Sequence, residues 1–180
     1  MRNIRAQLLT RQEKFVNPKF FALVLALPVA AFAANPDAAF FKNAAEGGIA
    51  EVEAGHLAQD KGNSRQVKDF GAMMVKDHSA ANDKLQALAA SKTVVLPTTS
   101  SVEQMAAKAK LNVLSGETFD KSYVKGQISA HQDTIALFQK EITSGQDADA
   151  KAFASATLPT VRAHLQAITS IATAMGVAVK

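Results

Sequence analysis

Three of the four histidines in this chain, His78, His131 and His164, fall near the middles of three different amphipathic segments, each on the apolar stripe. Buried polar groups need partners, so one imidazole on each of three packed stripes points to a shared site. Neutral imidazole binds zinc, copper, iron and nickel. Three imidazoles with one carboxylate fit a tetrahedral zinc site, and three with an open position form the ligand set of a catalytic zinc centre. Glu51, at the edge of its own stripe, is the carboxylate that could turn toward that layer. Met74, one turn before His78, offers a thioether, which would favour copper. Asp77, Asp120, Tyr123 and Gln127 are available to bond the second ring nitrogens of ligating histidines. The competing expectation is a hydrogen-bonded network of His78, His131, His164, Glu51 and Tyr123 that fixes the core packing without a ligand. His56, near a helix end and off the stripe centre, reads as a boundary residue.

The elements that must position these side chains all show a period near 3.6, with no clean period-2 strand. A first helix opens at Asn35-Pro36-Asp37 and stops at Gly62, with Phe41, Ala45, Gly48, Val52, Gly55 and Gln59 on its stripe. A second runs from Ser64 to about Ser91, and the short Lys61-Gly62-Asn63 turn makes the pair an antiparallel hairpin. A linker, Lys92 to Thr99 with Pro97, leads to Ser100/Glu103 and Ser101/Gln104 capping-box patterns and a short helix ending near Gly116. Linker and short helix read as a crossover spanning the bundle; the alternative is a helix lying across one end. The third long helix covers about Thr118 to Ser144. The fourth begins after the N-cap Asp147, ends near Gly176 and contains Pro159, expected to kink it. The predicted fold is an all-α, antiparallel four-helix bundle with a crossover containing a short extra helix. Helix midpoints do not depend on direction, so the three histidines should share one layer. Gly47-Gly48 of the first helix would leave room opposite them.

The 180 residues begin with a leader. Phe20 to Ala31 is an apolar run preceded by Arg11, Lys14 and Lys19 and followed by Ala31-Phe32-Ala33. That is the pattern of a secretory signal peptide, residues 1–33, cut after Ala33. The run is shorter than the roughly 20 apolar residues of a membrane span. The leader holds the excess of basic residues, so residues 34–180 are formally neutral, and nucleic-acid binding loses its electrostatic basis. The chain has no cysteine, which excludes disulfides and thiolate ligands. These features place a single bundle domain in the periplasm, with no transmembrane span in the mature chain.

Nucleophile elbows, phosphate loops, zinc-protease motifs and dinucleotide fingerprints are all absent, so no reaction is read and a non-enzymatic role is favoured. Ala44-Ala45-Glu46-Gly47-Gly48-Ile49-Ala50-Glu51-Val52, Met74-Val75-Lys76-Asp77-His78 with Asn82 and Leu85, Gly116 to Asp120 with Tyr123, His131, and Leu158-Pro159 with His164-Leu165 follow in order. This ordered set resembles a bacterial family of exported, ferritin-like four-helix proteins, catalogued as a domain of unknown function and often labelled as outer membrane proteins. The resemblance covers about Ala38 to Ala174. It implies a periplasmic ferritin-like bundle but no mechanism. The outer-membrane label sits poorly with a chain lacking alternating strands. A di-iron centre would use Glu-x-x-His on two helices, whereas Val75 and Val161 stand three residues before His78 and His164. The residues therefore argue for a single softer metal, zinc or copper. The second function class is an envelope or stress-associated interaction protein, its protein partners unspecified.

Overall fold

Residues 35–178 are described in the computed structural model; the signal-peptide reading of residues 1–33 falls outside them. Five helices follow in order: α1 (Ala38–Lys61), α2 (Arg65–Ser91), α3 (Val102–Asn112), α4 (Gly116–Ser144) and α5 (Ala148–Ala174). Three of them, α2, α3 and α5, begin where a side chain satisfies free N–H groups of the first turn. The Ser64 hydroxyl accepts from Val67 N–H, Ser101 and Gln104 form a reciprocal capping box, and Asp147 accepts from the Asp149 and Ala150 N–H groups. Among the alternative capping pairs it is Ser101/Gln104 that starts α3. No described helix is long and apolar enough to cross a membrane.

Two buried carboxylates fix how the hairpins meet. Asp37, before α1, accepts the Gln146 and Asp147 N–H groups at 2.8 and 2.6 Å, so α1 starts where α4 ends. Asp120, in the first turns of α4, accepts the Asn63 and Ser64 N–H groups at 2.8 and 2.7 Å, so α4 starts where α2 starts. The segment from Lys92 to Ser115 must therefore run the length of the bundle. This settles the choice between a crossover and an end-lying helix in favour of the crossover. It passes over α1, tied by Lys108–Glu53 at 3.2 Å, Ser100–Glu53 at 3.3 Å and a bond from Lys61 Nζ to the Asn112 carbonyl. None of the α3 residues is buried.

The core divides into two apolar clusters. One gathers Phe70, Met74, Phe119, Tyr123, Val124 and Ile168. The other gathers Phe40, Phe41, Leu85, Phe138 and Ala154 at the opposite end. The layer between them is polar. The α1 stripe differs from the expected one: Phe41, Ala44, Glu51, Gly55 and Ala58 are buried, while Val52 is only half-buried. Glu51 thus occupies a core position, and its burial makes it part of the polar layer. Pro159 lies inside α5, which continues through it.

Gly55 and Gly71 bring α1 and α2 into backbone contact. A Cβ at Gly71 would lie 2.7 Å from the Gly55 carbonyl oxygen and 2.8 Å from Ala58 Cβ. Neither atom is the end of a flexible chain, so the helices would have to separate. Gly71→Ala is expected to lower stability by about 1–3 kcal/mol through overpacking, despite alanine's better helix propensity. A denaturant melt checks it; an unchanged or raised midpoint would refute the close-contact argument.

Candidate metal centre

The polar layer is built from α1, α2, α4 and α5. His78, His131 and His164 are 8, 1 and 2 % exposed, and their ring centroids form a nearly equilateral triangle: 5.8 Å for His78–His131, 5.4 Å for His78–His164 and 5.5 Å for His131–His164. The three rings share one layer because each sits at the middle of its helix. One nitrogen from each lies within 4.8 Å of the other two. Nitrogens bound tetrahedrally at 2.0–2.1 Å from zinc are about 3.3 Å apart. The rings therefore need to close by at most about 1.5 Å.

Hydrogen bonds to neighbouring groups decide which nitrogen of His131 and of His164 keeps a lone pair. His131 Nδ1 lies 2.8 Å from the Gln127 carbonyl oxygen. A carbonyl only accepts, so Nδ1 carries the proton and Nε2 presents a lone pair. His164 Nε2 lies 3.0 Å from Asp77 Oδ2, which places the proton on Nε2 and leaves Nδ1 bare. His131 Nε2, His164 Nδ1 and His78 Nε2 are all buried without a hydrogen-bond partner. Asp77 and the Gln127 backbone thus do for His164 and His131 what carboxylates and carbonyls do behind metal-bound histidines, fixing tautomer and ring orientation. On one side the triangle is covered by Phe70, 6.3 Å from His131 and 6.5 Å from His164. On another, a cavity of about 30 Å³ touches His78, Glu51, Gly47 and Gly48, enough for about one water molecule or ion.

The electrostatics favour neutral rings at His78 and His164. Burial, reinforced by the neighbouring His131 and His164, pushes His78 down to about 3. Burial also lowers His164, against the pull of Asp77. Burial raises the Glu51 carboxyl above its ordinary range, opposed by His131 and the Gln127 hydrogen bond. Neutral imidazole is the form that binds metal.

The remaining candidates separate. Glu51 stands behind His131: Oε1 is 3.9 Å from His131 Nδ1, and Oε2 accepts from Gln127 Nε2 at 2.7 Å. Gln127 contributes both this amide and the carbonyl that orients His131. Tyr123 lies between Phe70 and Phe119, its hydroxyl buried and unpartnered. Asp120 does not support a histidine; both its oxygens are taken by the α1–α2 turn, about three helical turns from His131 along α4. Met74 is fully buried in the apolar cluster, with its Cβ toward Gly55. Gly47 and Gly48 both border the cavity, but the Asn82 amide packs on Gly48: a Cβ there would come within 1.9 Å of Asn82 Oδ1. Asn82 is the residue of this layer not weighed for the site in the sequence; its place one turn after His78 is the signal.

The architecture and site define an all-α helical bundle with a buried histidine triangle at mid-height. The chain belongs to the family described as Domain of unknown function (DUF4142), whose model matches residues 25–171. In fold it is similar to a DUF305 fragment from Deinococcus radiodurans (TM-score 0.69, 13 % identity, covering 80 % of this chain and 97 % of that one). It is also similar to a DUF305 protein from Streptomyces coelicolor (TM-score 0.67, 14 % identity, 79 % and 95 % covered). At such identities the likeness is one of fold. No curated protein matches the chain.

Proposed function

We propose that this protein is a periplasmic metal-binding bundle that holds one zinc or copper ion between His78, His131 and His164, with a water in the fourth position and Glu51 outside the ligand set. The observation that carries this reading is a buried triangle in which one ring nitrogen of each histidine lies within 4.8 Å of the other two; each ring also has a buried nitrogen with no partner, two of them left as lone pairs by bonds on the other ring nitrogen. Each unsatisfied buried polar atom costs about 1–3 kcal/mol, and one cation satisfies all three. A self-contained hydrogen-bond network leaves these atoms unexplained: among the described residues no histidine bonds another, and the Tyr123 hydroxyl bonds none of them. The histidine-rich, carboxylate-poor ligand set favours zinc or copper over a di-iron centre. The leader read in residues 1–33 supports the periplasmic assignment.

The test is the metal content of protein purified from the periplasm without a nickel column or chelator. About one equivalent of zinc or copper is expected, falling to background in a His78→Ala/His131→Ala/His164→Ala variant. A parent that carries no metal and takes up none on titration would sink the proposal.

A further inference from the structure

A second, larger space lies beneath the crossover helix. It is an open groove of about 900 Å³ between α1, α3 and α4. Its floor is made of small residues, Gly47, Ala50, Ala54, Gly126 and Ala130 among them, and its outer wall is α3, which buries none of its own residues. Acidic side chains outnumber basic ones along it: Glu46, Glu53, Glu103 and Asp133 against Lys108 and Lys110. Two of these are already paired, Glu46 with Lys42 and Glu53 with Lys108. The balance still favours a cation.

The groove and the small cavity at His78 have walls in common. Asn43, Gly47, Glu51, Thr134 and Leu137 line both. Glu51 is the ionisable member of that shared wall. Beside it, also lining the groove, are Tyr123 and Gln127, 1 and 4 % exposed, whose Oη and Oε1 atoms have no partner. A carboxylate, an amide oxygen and a phenol oxygen are oxygen donors of the kind that take a cation out of water. On the opposite side of the bundle, Asp77 is partly exposed but bonds the protonated Nε2 of His164. An ion arriving there meets an N–H rather than a lone pair.

We propose that metal ions reach the histidine triangle through the groove beneath α3, passing Glu51 as the inner gate between groove and cavity. This rests on the metal-binding reading above. It assigns a role to the unpartnered Tyr123 and Gln127 oxygens, which the histidine site does not use. It also explains why a buried glutamate stands at the shared wall while its carboxylate stays out of the triangle.

Gly126 supplies a test that touches no proposed ligand. It lies on the groove wall, and a Cβ there meets nothing within 4 Å. Gly126→Trp fills the groove; Gly126→Ala is the control that leaves it open. Zinc uptake by chelator-stripped full-length protein would be followed by stopped flow with a zinc-responsive dye, and final stoichiometry measured after hours. Gly126→Trp and Glu51→Gln are each expected to slow uptake at least tenfold while the final zinc content of Gly126→Trp stays at the parent's value. Gly126→Ala should load at the parent rate, and parent uptake should slow as ionic strength rises. Ala107→Trp fills the same groove from the exposed helix α3 and replaces Gly126→Trp if that variant does not fold. Uptake rates unchanged by either tryptophan would overturn the route while leaving the metal site standing. A parent that binds no zinc at any time would overturn both.

Discussion

Zinc present at a hundredfold excess over its dissociation constant is expected to stabilise the bundle by about 2.7 kcal/mol. For a domain of this size that raises the melting temperature by roughly 5–10 °C. The gain arises because the cation binds the folded triangle, whose three ring nitrogens have no protein partner, more tightly than it binds the unfolded chain. The unfolded chain keeps the same nitrogens in water. A cation held by all three rings at once favours the folded state, because the unfolded chain does not hold them together. Excess chelator should return the midpoint to its starting value, and the triple histidine-to-alanine variant should show no shift at any zinc concentration. Met74→Leu should keep the full zinc shift, since Met74 packs in the apolar cluster and its exchange for leucine conserves volume. A parent whose midpoint is indifferent to zinc and copper alike would point to a core arranged for packing only.

Acid should destabilise the metal-free protein through His78, by about 3 kcal/mol between pH 7.5 and pH 4. Burial, then the neighbouring His131 and His164, lower this group from 6.5 to about 3 in the folded chain. Below pH 6.5 the unfolded state takes up a proton that the folded state refuses, so stability falls as pH drops through this window. The loss levels off near pH 3, where folded His78 is itself protonated. His164 is lowered in the same direction. Two carboxyls act oppositely. Glu141 is pushed up to about 7 by burial and by Asp37 and Asp147, and Glu51 is raised by burial. Both therefore hold protons more tightly when folded and gain stability as pH falls toward the ordinary carboxylate range. Their contributions cancel when the parent is compared with His78→Leu, each stripped of metal, in urea melts at several pH values. The difference between the two should grow by about 3 kcal/mol from pH 7.5 to pH 4. A constant difference across that range would mean that folded His78 titrates normally and is not shut off from water.

The histidine layer could be read from the sequence because depth along a helix is a one-dimensional property. His78, His131 and His164 each sit at a helix midpoint, and antiparallel or parallel packing leaves midpoints level. The four long helices and their ends were equally legible, since caps such as Ser64, Ser101 and Asp147 and stops such as Gly62 act within one turn. The azimuth of a side chain about its helix was not. The spacing puts Glu51 at the edge of a stripe that includes Val52, yet α1 turns so that Glu51 enters the core. A period near 3.6 among alanines and glycines constrains rotation weakly. The close approach of Gly55 to Gly71 then sets it.

Long-range polar pairing was also decided by the tertiary structure. Asp120 shares the α4 stripe with His131, and nothing local distinguishes a carboxylate that supports an imidazole from one that caps a turn. Packing α4 beside the α1–α2 turn gives Asp120 two free backbone N–H groups to accept, and those take it. Gly48 read as empty space because a sequence cannot show that Asn82, on another helix, packs on it. The sequence by itself determined the helices, their order and the height of the histidines, all of which follow from local periodicity and capping. Which ring nitrogen of His131 and His164 keeps its lone pair is set instead by how the helices dock. That depends on Asp77 and on the Gln127 carbonyl, whose positions relative to the rings are fixed by how the helices rotate and dock.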